Sequence, residues 1–323
     1  MLHQVLPESY NAVLALVGIL FAFGATVFAT GAFQEKLPKD AGREFAHNGK
    51  LSAGKPRGAG IIFVLMFTLA AVLFSDLSAE IVIYLILTVI CMVTGFLDDA
   101  SKTPWGEYKK GFLDLCVAAM VAVTYLKYNP STIEFAFLGV ELVLPPVVFA
   151  VLTVILVWVS VNVTNCSDGV DGLSGTLTIV TLMTFYALNQ IFEKPGDFSF
   201  LILLFAVCIL GYLWYNATPS KLMMGDAGSR AMGLFIAIAA LKTGCPVLYV
   251  PVALVLILDG GLGLVKVALI RFCKIHILKN TRTPLHDHVR KVWDWSNTQT
   301  VFRFAIIQII LSAAVIYSIR IGM

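Results

Sequence analysis

Long apolar runs recur along the whole chain and constrain its fold more than any other feature. A helix needs roughly 20 apolar residues to cross a bilayer. Ten runs reach or approach that length, namely 11–32, 58–75, 79–97, 111–126, 146–164, 172–190, 199–215, 229–241, 247–268 and 302–319. We therefore predict an all-α integral membrane protein of about ten transmembrane helices, folded as a single polytopic domain over residues 1–323.

The composition excludes a water-soluble protein. Hydrophobic residues make up 59% of the 323 residues and charged residues only 13%, whereas soluble domains average about 45–50% and about 25%. The first ten residues contain no Lys or Arg, so the basic start of a cleaved signal peptide is missing and we expect the first run to be retained. The six cysteines have no C-x-x-C spacing, and we expect reduced packing residues.

The basic residues orient the predicted helices. Ten spans leave connections that alternate between the two sides of the membrane, and cytoplasmic connections carry the excess of Lys and Arg. Nineteen of the 23 basic residues fall on one set, and only Lys127, Lys194, Lys242 and Arg320 fall on the other. We predict that both termini are extracytoplasmic and that the basic loops, with the active site, face the cytoplasm.

Acids and histidines collect on this predicted cytoplasmic side, although only Lys and Arg were used to assign it. They lie in Gly95–Asp99 after the third run, Asn162–Gly172 between the fifth and sixth, Met224–Ser229 before the eighth, and Pro284–His288 in the last cytoplasmic loop. A single Asp there could be a solvated helix cap. Acids that abut hydrocarbon are nevertheless costly and are functional candidates, so their convergence favours a site.

Adjacent carboxylates such as Asp98 and Asp99 repel each other unless a cation or a proton intervenes. Mg²⁺ suits them, since it takes one or two carboxylates and completes its shell with phosphate oxygens and water. His286 and His288 are too close in sequence for a zinc site at i, i+4, and they favour anion binding or proton handling. The segment Lys50–Gly60 is either ordinary cytoplasmic charge or a wall over a polyphosphate.

These groups together predict phosphoryl transfer between two polyanions, because attacker and target both carry negative charge that metal and basic side chains can neutralise. A site on the membrane surface implies one lipid substrate and one soluble substrate. We expect no nucleic-acid partner, and a homodimer remains open.

The motifs Asp98-Asp99, Asn165-x-x-Asp168-Gly-x-Asp171-Gly, Met224-Gly-Asp226-x-Gly-Ser and Pro284-Leu-His286-x-His288 resemble those of the polyprenyl-phosphate N-acetylhexosamine-1-phosphate transferases. Within them, the chain resembles the phospho-N-acetylmuramoyl-pentapeptide transferases of bacterial cell-wall synthesis over nearly its whole length. The resemblance implies a Mg²⁺-dependent, multi-pass enzyme of the bacterial cytoplasmic membrane. It would transfer phospho-MurNAc-pentapeptide from UDP-MurNAc-pentapeptide to undecaprenyl phosphate, giving lipid I and UMP.

The resemblance also implies residue roles. Asp226 would hold Mg²⁺, and Asp98 would act on the lipid phosphate with Asp99 beside it. Lys110, or less well Lys109, would be the lysine of the family at the start of the fourth span. His286 would lie near the phosphates. The implied substrate-binding residues are Lys50, Asn162, Asn165, Asp168, Gly169, Asp171, Asn216 and His288.

The sequence departs from the family at three places. Asp287 stands where a histidine is usual, and we expect it to hold one of the neighbouring imidazoles. Lys55-Pro56-Arg57 resembles the branch that transfers GlcNAc-1-phosphate, and Asp259 replaces a common Glu. A UDP-GlcNAc transferase is therefore the alternative, and an ion-coupled transporter a remote one, since transport predicts mid-membrane acids and inverted repeats. Direct attack and a covalent Asp intermediate both remain open.

Overall fold

A computed structural model describes residues 2, 7–40, 42, 52–101, 103, 105–194 and 196–322. These residues are mostly helical. Their helices are α1 (Asn11–Phe33), α2 (Gly60–Phe74), α3 (Ala79–Asp99), α4 (Glu107–Tyr128), α5 (Pro146–Cys166), α6 (Leu173–Ile191), α7 (Gly196–Asn216), α8 (Gly225–Lys242), α9 (Pro246–Val252), α10 (Leu254–Cys273), α11 (Leu285–Val292) and α12 (Asn297–Gly322). Strands β1 (Thr132–Phe135) and β2 (Val140–Val143) form an antiparallel hairpin between α4 and α5.

The predicted apolar runs coincide with helices, so the prediction of a helical membrane protein is confirmed in its coarser form. Within the described ranges, α1, α3, α4, α5, α7 and α12 are long and apolar enough to cross a membrane, and α9 with α10 would add a seventh span. Helix α2 has only 15 residues, and α8 carries Asp226, Arg230 and Lys242. The count of ten spans and the side of the termini stay predictions.

Helix α8 lies at the centre of the molecule, where every residue from Gly225 to Leu241 is buried. It packs mainly against α3 and α5, and small residues allow this approach. A Cβ atom at Gly95 of α3 would collide with the backbone of Asp226. The end of α3, which carries the adjacent aspartates, therefore lies directly against the start of α8.

A break between α9 and α10 changes the path of the ninth predicted span. The two helices meet at an angle of 69°. Gln308 of α12 satisfies backbone groups at the break, because its Oε1 accepts from Val255 N at 3.0 Å and its Nε2 donates to Val252 O at 2.7 Å. The π-helical turn Ile257–Gly261 follows and holds Asp259 fully buried. Such turns are frequent at functional sites.

All six cysteines are free in the structure. Cys91, Cys208 and Cys245 are buried, as expected for packing residues.

Candidate active site

The adjacent aspartates at the end of α3 lie against the first turn of α8. Asp99 accepts from the backbone N–H groups of Asp226 at 3.1 Å and Ala227 at 3.0 Å. It therefore satisfies amide groups that have no partner within their own helix, and its charge complements the positive end of the helix dipole. Asp99 fixes the end of α3 on the start of α8, beside Asp226.

Lys110 joins the other two carboxylates of this cluster. Its Nζ lies 2.5 Å from Asp98 Oδ2 and 3.0 Å from Asp226 Oδ2. Asp98 also accepts from the backbone N–H of Trp105 at 2.7 Å. Lys109, the weaker sequence candidate, lies instead over the Trp105 ring, 3.3 Å from its centroid. The structure thus brings together four of the residues that the sequence assigned to catalysis.

Arg57 is a second cation in the cluster, and the sequence did not predict it as a site residue. Its Nε lies 2.8 Å from Asp99 Oδ1, in an ion pair that is not aligned as a hydrogen bond, and its Nη2 lies 3.6 Å from Asp226 Oδ1. A third ion pair joins Nη1 to Asp40 Oδ1 at 3.6 Å. Burial lowers the pKa of Arg57, but the surrounding carboxylates, led by Asp99, raise that pKa above its ordinary value.

Backbone hydrogen bonds hold Arg57 at this position. Its N–H donates to Pro38 O at 2.8 Å, and its neighbour Pro56 accepts from Met223 N, also at 2.8 Å. The segment is thereby fixed to the loop that leads into α8. The sequence signals for Arg57 were its location in the basic, glycine-containing segment Lys50–Gly60 and the resemblance of Lys55-Pro56-Arg57 to the other branch. Neither signal showed its contacts, because the pairing of Pro56 with Met223 joins residues more than 160 positions apart.

The asparagines of α5 have different contacts. Asn165 Nδ2 donates to Asp226 Oδ1 at 3.1 Å and to Ser229 Oγ at 2.9 Å. Asn162 Nδ2 donates to the carbonyl of Trp158 at 2.8 Å, within its own helix. Asn165 is therefore a contact of the carboxylate cluster, whereas the hydrogen bond of Asn162 does not connect it to that cluster.

The turn between α5 and α6 lies next to the loop that precedes α8. Asn216 Oδ1 accepts from Gly172 N and its Nδ2 donates to Leu222 O, both at 2.8 Å. Asp171 Oδ2 accepts from Ser220 N at 3.3 Å. Because Asn216 is buried and both ends of its amide are bound, it positions the two loops.

Lys55 connects this turn to the basic segment before α2. Its Nζ donates to Ser220 Oγ at 2.9 Å and lies 3.9 Å from Asp171 Oδ2. Asp168 lies in the same turn, with its backbone N–H bonded to Asn165 O at 3.2 Å. Lys50, which the sequence predicted to bind substrate, lies outside the described residues.

His286 is buried, and Asp259 holds its ring. Asp259 Oδ2 lies 2.8 Å from Nδ1, and Asp259 Oδ1 accepts from the backbone N–H of His286 at 2.7 Å. A Cβ atom at Gly169 would collide with Nε2 of this ring. The absence of a side chain at Gly169 therefore lets the imidazole approach the turn between α5 and α6, so these two predicted site residues do meet.

The expectation that Asp287 holds an imidazole is wrong. Asp287 Oδ1 lies 2.6 Å from Arg290 Nη2 and 4.0 Å from His286 Nε2. Asp287 is thus paired with the cation one turn later in its helix, and the buried Asp259 of α10 takes the role instead. His288 has different partners from His286. Its Nδ1 accepts from the backbone N–H of Arg282 at 3.2 Å, and its ring packs edge-to-face with the ring of Trp293.

The described residues contain no ready-made metal cage of three or more His, Cys, Asp or Glu side chains. The donor chemistry nonetheless fits Mg²⁺, which needs only one or two carboxylates when phosphate oxygens complete its shell. Asp226 is the carboxylate with suitable surroundings, since its oxygens face the ammonium of Lys110 and the guanidinium of Arg57. Lys110 and Arg57 compensate the charge of Asp226, and a bound Mg²⁺ would take over part of that compensation.

An apolar cavity of about 450 Å³ opens beside the turn between α5 and α6. Asp171 and Gly172 contribute to its wall, and most of the remainder comes from α7 and α12, including Leu213, Phe302 and Ile309. The turn that carries Asp171 thus borders on apolar space.

The fold and the site define a polytopic membrane protein in which acids from α3 and α8 meet two cations and a buried histidine–aspartate pair. The profile of the family described as "Glycosyl transferase family 4" matches residues 81–244. A phospho-N-acetylmuramoyl-pentapeptide-transferase of Treponema pallidum (strain Nichols) is 37% identical over 95% of this chain and 89% of its own length. Proteins of the same name from Clostridium acetobutylicum and Nitratiruptor sp. are each 26% identical, over 80% and 97% of this chain and 83% and 96% of their own lengths. The chain belongs to glycosyl transferase family 4, together with the phospho-N-acetylmuramoyl-pentapeptide-transferases.

Proposed function

We propose that this protein transfers phospho-MurNAc-pentapeptide from its UDP carrier to undecaprenyl phosphate and forms lipid I and UMP. The observation that carries the proposal is the meeting of Asp98, Asp99 and Asp226 with Lys110 and Arg57, in a chain 37% identical to a relative named for this transfer. The apolar helices support a location in the bacterial cytoplasmic membrane.

The transfer exchanges one phosphate linkage for another. An oxygen of the lipid phosphate forms a bond to the sugar-linked phosphorus of the donor, the bond from that phosphorus to the UMP oxygen breaks, and UMP leaves. Both partners are anions, so approach is costly unless cations lie between them. Lys110 and Arg57 would supply this charge, and Asp98, in contact with Lys110, would orient or deprotonate the lipid phosphate.

Asp226 would hold Mg²⁺ in this proposal, and the metal when bound would neutralise the pyrophosphate of the donor. Asn165 supports this role because it fixes one carboxylate oxygen of Asp226. Lys110 and Arg57 keep the carboxylates from repelling one another before metal and substrate arrive, and they can then turn toward the phosphates.

The uridine and sugar-phosphate part of the donor would bind at the turn between α5 and α6, through Asp168, Gly169 and Asp171. His286 borders this turn and is a candidate phosphate contact, with Lys50 as a further one. Asn216 would act by holding the turn, because both ends of its amide are bound to backbone.

The choice of sugar is tested by turnover. Arg57 gives a specific reason to test UDP-GlcNAc, since Pro56-Arg57 resembles the other branch and Arg57 lies in the cluster. Purified protein would be given UDP-MurNAc-pentapeptide or UDP-GlcNAc with undecaprenyl phosphate and Mg²⁺, and UMP and lipid product would be measured. We expect product from the muramoyl donor. Product from UDP-GlcNAc alone would assign the protein to the alternative, and no product from either would contradict the proposal.

A further inference from the structure

A second ion pair joins α4 to α8, one helical turn beyond the pair of Lys110 and Asp226. Asp114 and Arg230 each follow those residues by four positions, so each lies next to its predecessor on the same helix face. Arg230 Nη2 contacts Asp114 Oδ1, and both side chains are 3% exposed. Along this contact, α4 carries the cation Lys110 and then the anion Asp114. Helix α8 carries the opposite order, the anion Asp226 and then the cation Arg230.

The inner pair of Asp114 and Arg230 does not take part in the chemistry proposed above. Desolvation commonly offsets the attraction within a buried ion pair, so stability alone rarely explains one. Nε and Nη1 of Arg230 have no hydrogen-bond partner within the part of the chain that the structure describes. The guanidinium of Arg230 thus depends on Asp114 for a hydrogen-bond partner. The order of charges suggests that this inner pair helps to position the outer pair of Lys110 and Asp226.

We infer that Arg230 is a positioning residue that keeps Asp114 from drawing Lys110 away from Asp98 and Asp226. The ammonium of Lys110 is on a flexible stem, and a carboxylate four residues later is within reach of such a stem. A buried carboxylate that lost its guanidinium would need another cation, and Lys110 would supply it at the expense of the site.

The inference rests on the proposed function through the role of Lys110, and paired substitutions test it. Arg230→Leu should lower kcat by about 10- to 100-fold, the scale that a misplaced catalytic group costs. Adding Asp114→Leu should restore kcat to within about threefold of wild type, because no carboxylate then competes and apolar side chains can replace a buried ion pair. Full activity of Arg230→Leu, or a double variant that folds and is no better, would overturn the inference.

The reversed pair separates positioning from a merely structural role. Asp114→Arg with Arg230→Asp keeps an ion pair but puts like charges one turn from Lys110 and from Asp226, where they destabilise the arrangement. We expect a protein that unfolds near the wild-type temperature and has lost at least about tenfold in kcat. Near-normal kcat in this variant would show that only the presence of the pair matters, and the inference would fail.

Labelling of lysine gives a readout that does not depend on turnover. An amine-reactive reagent and mass spectrometry would compare Lys110, which is 29% exposed, with the exposed Lys109 as the internal reference. In Arg230→Leu, Lys110 should label several-fold more slowly because Asp114 draws it inward, and Asp114→Leu should reverse the change. Unchanged labelling would overturn the inference, whereas a wild-type protein inactive with both UDP-sugars would contradict only the proposed function.

Discussion

Asp226 contacts more side chains than Asp98 or Asp99 does, since Lys110, Asn165 and Arg57 all contact it. Its two oxygens are shared between an amide and two cations at the start of a helix. A metal that bound Asp226 would therefore compete with the cations Lys110 and Arg57 for its carboxylate oxygens. The substitution Asp226→Asn can therefore remove the charge of this side chain while it keeps the shape.

Asp226→Asn should abolish Mg²⁺-dependent turnover while the protein still folds, because the amide keeps the shape and loses the charge. Loss of one electrostatic stabiliser typically costs about 10²–10³ in rate. Glu80→Gln is the matched control, because Glu80 is a buried acid in an ion pair with Lys242 at 2.9 Å, at the other end of α3. Turnover of Asp226→Asn within about tenfold of wild type would remove Asp226 from the mechanism.

Arg57→Met should lower kcat and at the same time reduce the Mg²⁺ concentration needed for half-maximal activity. The substitution removes a cation that shares Asp99 and Asp226 with the metal, so metal binding should strengthen although the reacting anions lose a counter-charge. Lys39→Met, which removes an exposed cation paired with Glu35, is the control. If the Mg²⁺ concentration needed for half-maximal activity rises in Arg57→Met, or if kcat is unchanged, the role assigned to Arg57 is wrong.

At the scale of helices, the loop that carries α11 is fixed by a buried contact with α10. The π-helical turn of α10 carries Asp259, and α11 carries His286, whose backbone N–H and ring both meet that carboxylate. The two helices are therefore coupled through one buried contact. Sequence alone pointed to the neighbouring Asp287 because it is adjacent in the chain.

Asp259→Asn should lower turnover at least about tenfold through His286, because the carboxylate orients the ring and sets which nitrogen carries the proton. Its effect should be nearly absent in a His286→Ala background, since residues that act as one unit are not additive. Asp287→Asn is the control and should stay within about threefold of wild type, as Asp287 is paired with Arg290. Additive losses from Asp259 and His286 would contradict the coupling.

The sequence predicted most helices and much of the cluster because both depend on local signals. Apolar runs define helices wherever they occur, and acids beside such runs are costly enough to indicate function. The break after Val252 was not predicted, because Gln308, which satisfies it, lies more than 50 residues later. Arg57 was missed for the same reason, as its position depends on backbone pairing with distant segments. The strands β1 and β2 have only four residues each, too few for a clear alternating pattern.

For the molecule as a whole, the asymmetry of charge predicts which face meets the cytoplasm. The cations of the cluster and those of the loop around α11 belong to the set that holds nineteen of the 23 basic residues. The hairpin of β1 and β2 and the end of α12 belong to the set of connections and termini that holds only four basic residues. If the bias orients the chain, the carboxylate cluster and His286 open on the cytoplasmic side and the hairpin on the other.

Single cysteines in a protein stripped of its own six would test this orientation in intact cells. An impermeant thiol reagent added outside should label a cysteine at the exposed hairpin position Leu138, or at Arg320 near the end of α12, because both lie on the predicted outer side. A cysteine at Asp287 should react only after the membrane is opened, which also serves as the control that the thiol is accessible. Labelling of position 287 from outside, with positions 138 and 320 protected until the membrane is opened, would invert the topology. The predicted cytoplasmic location of the carboxylate cluster and His286 would then be wrong.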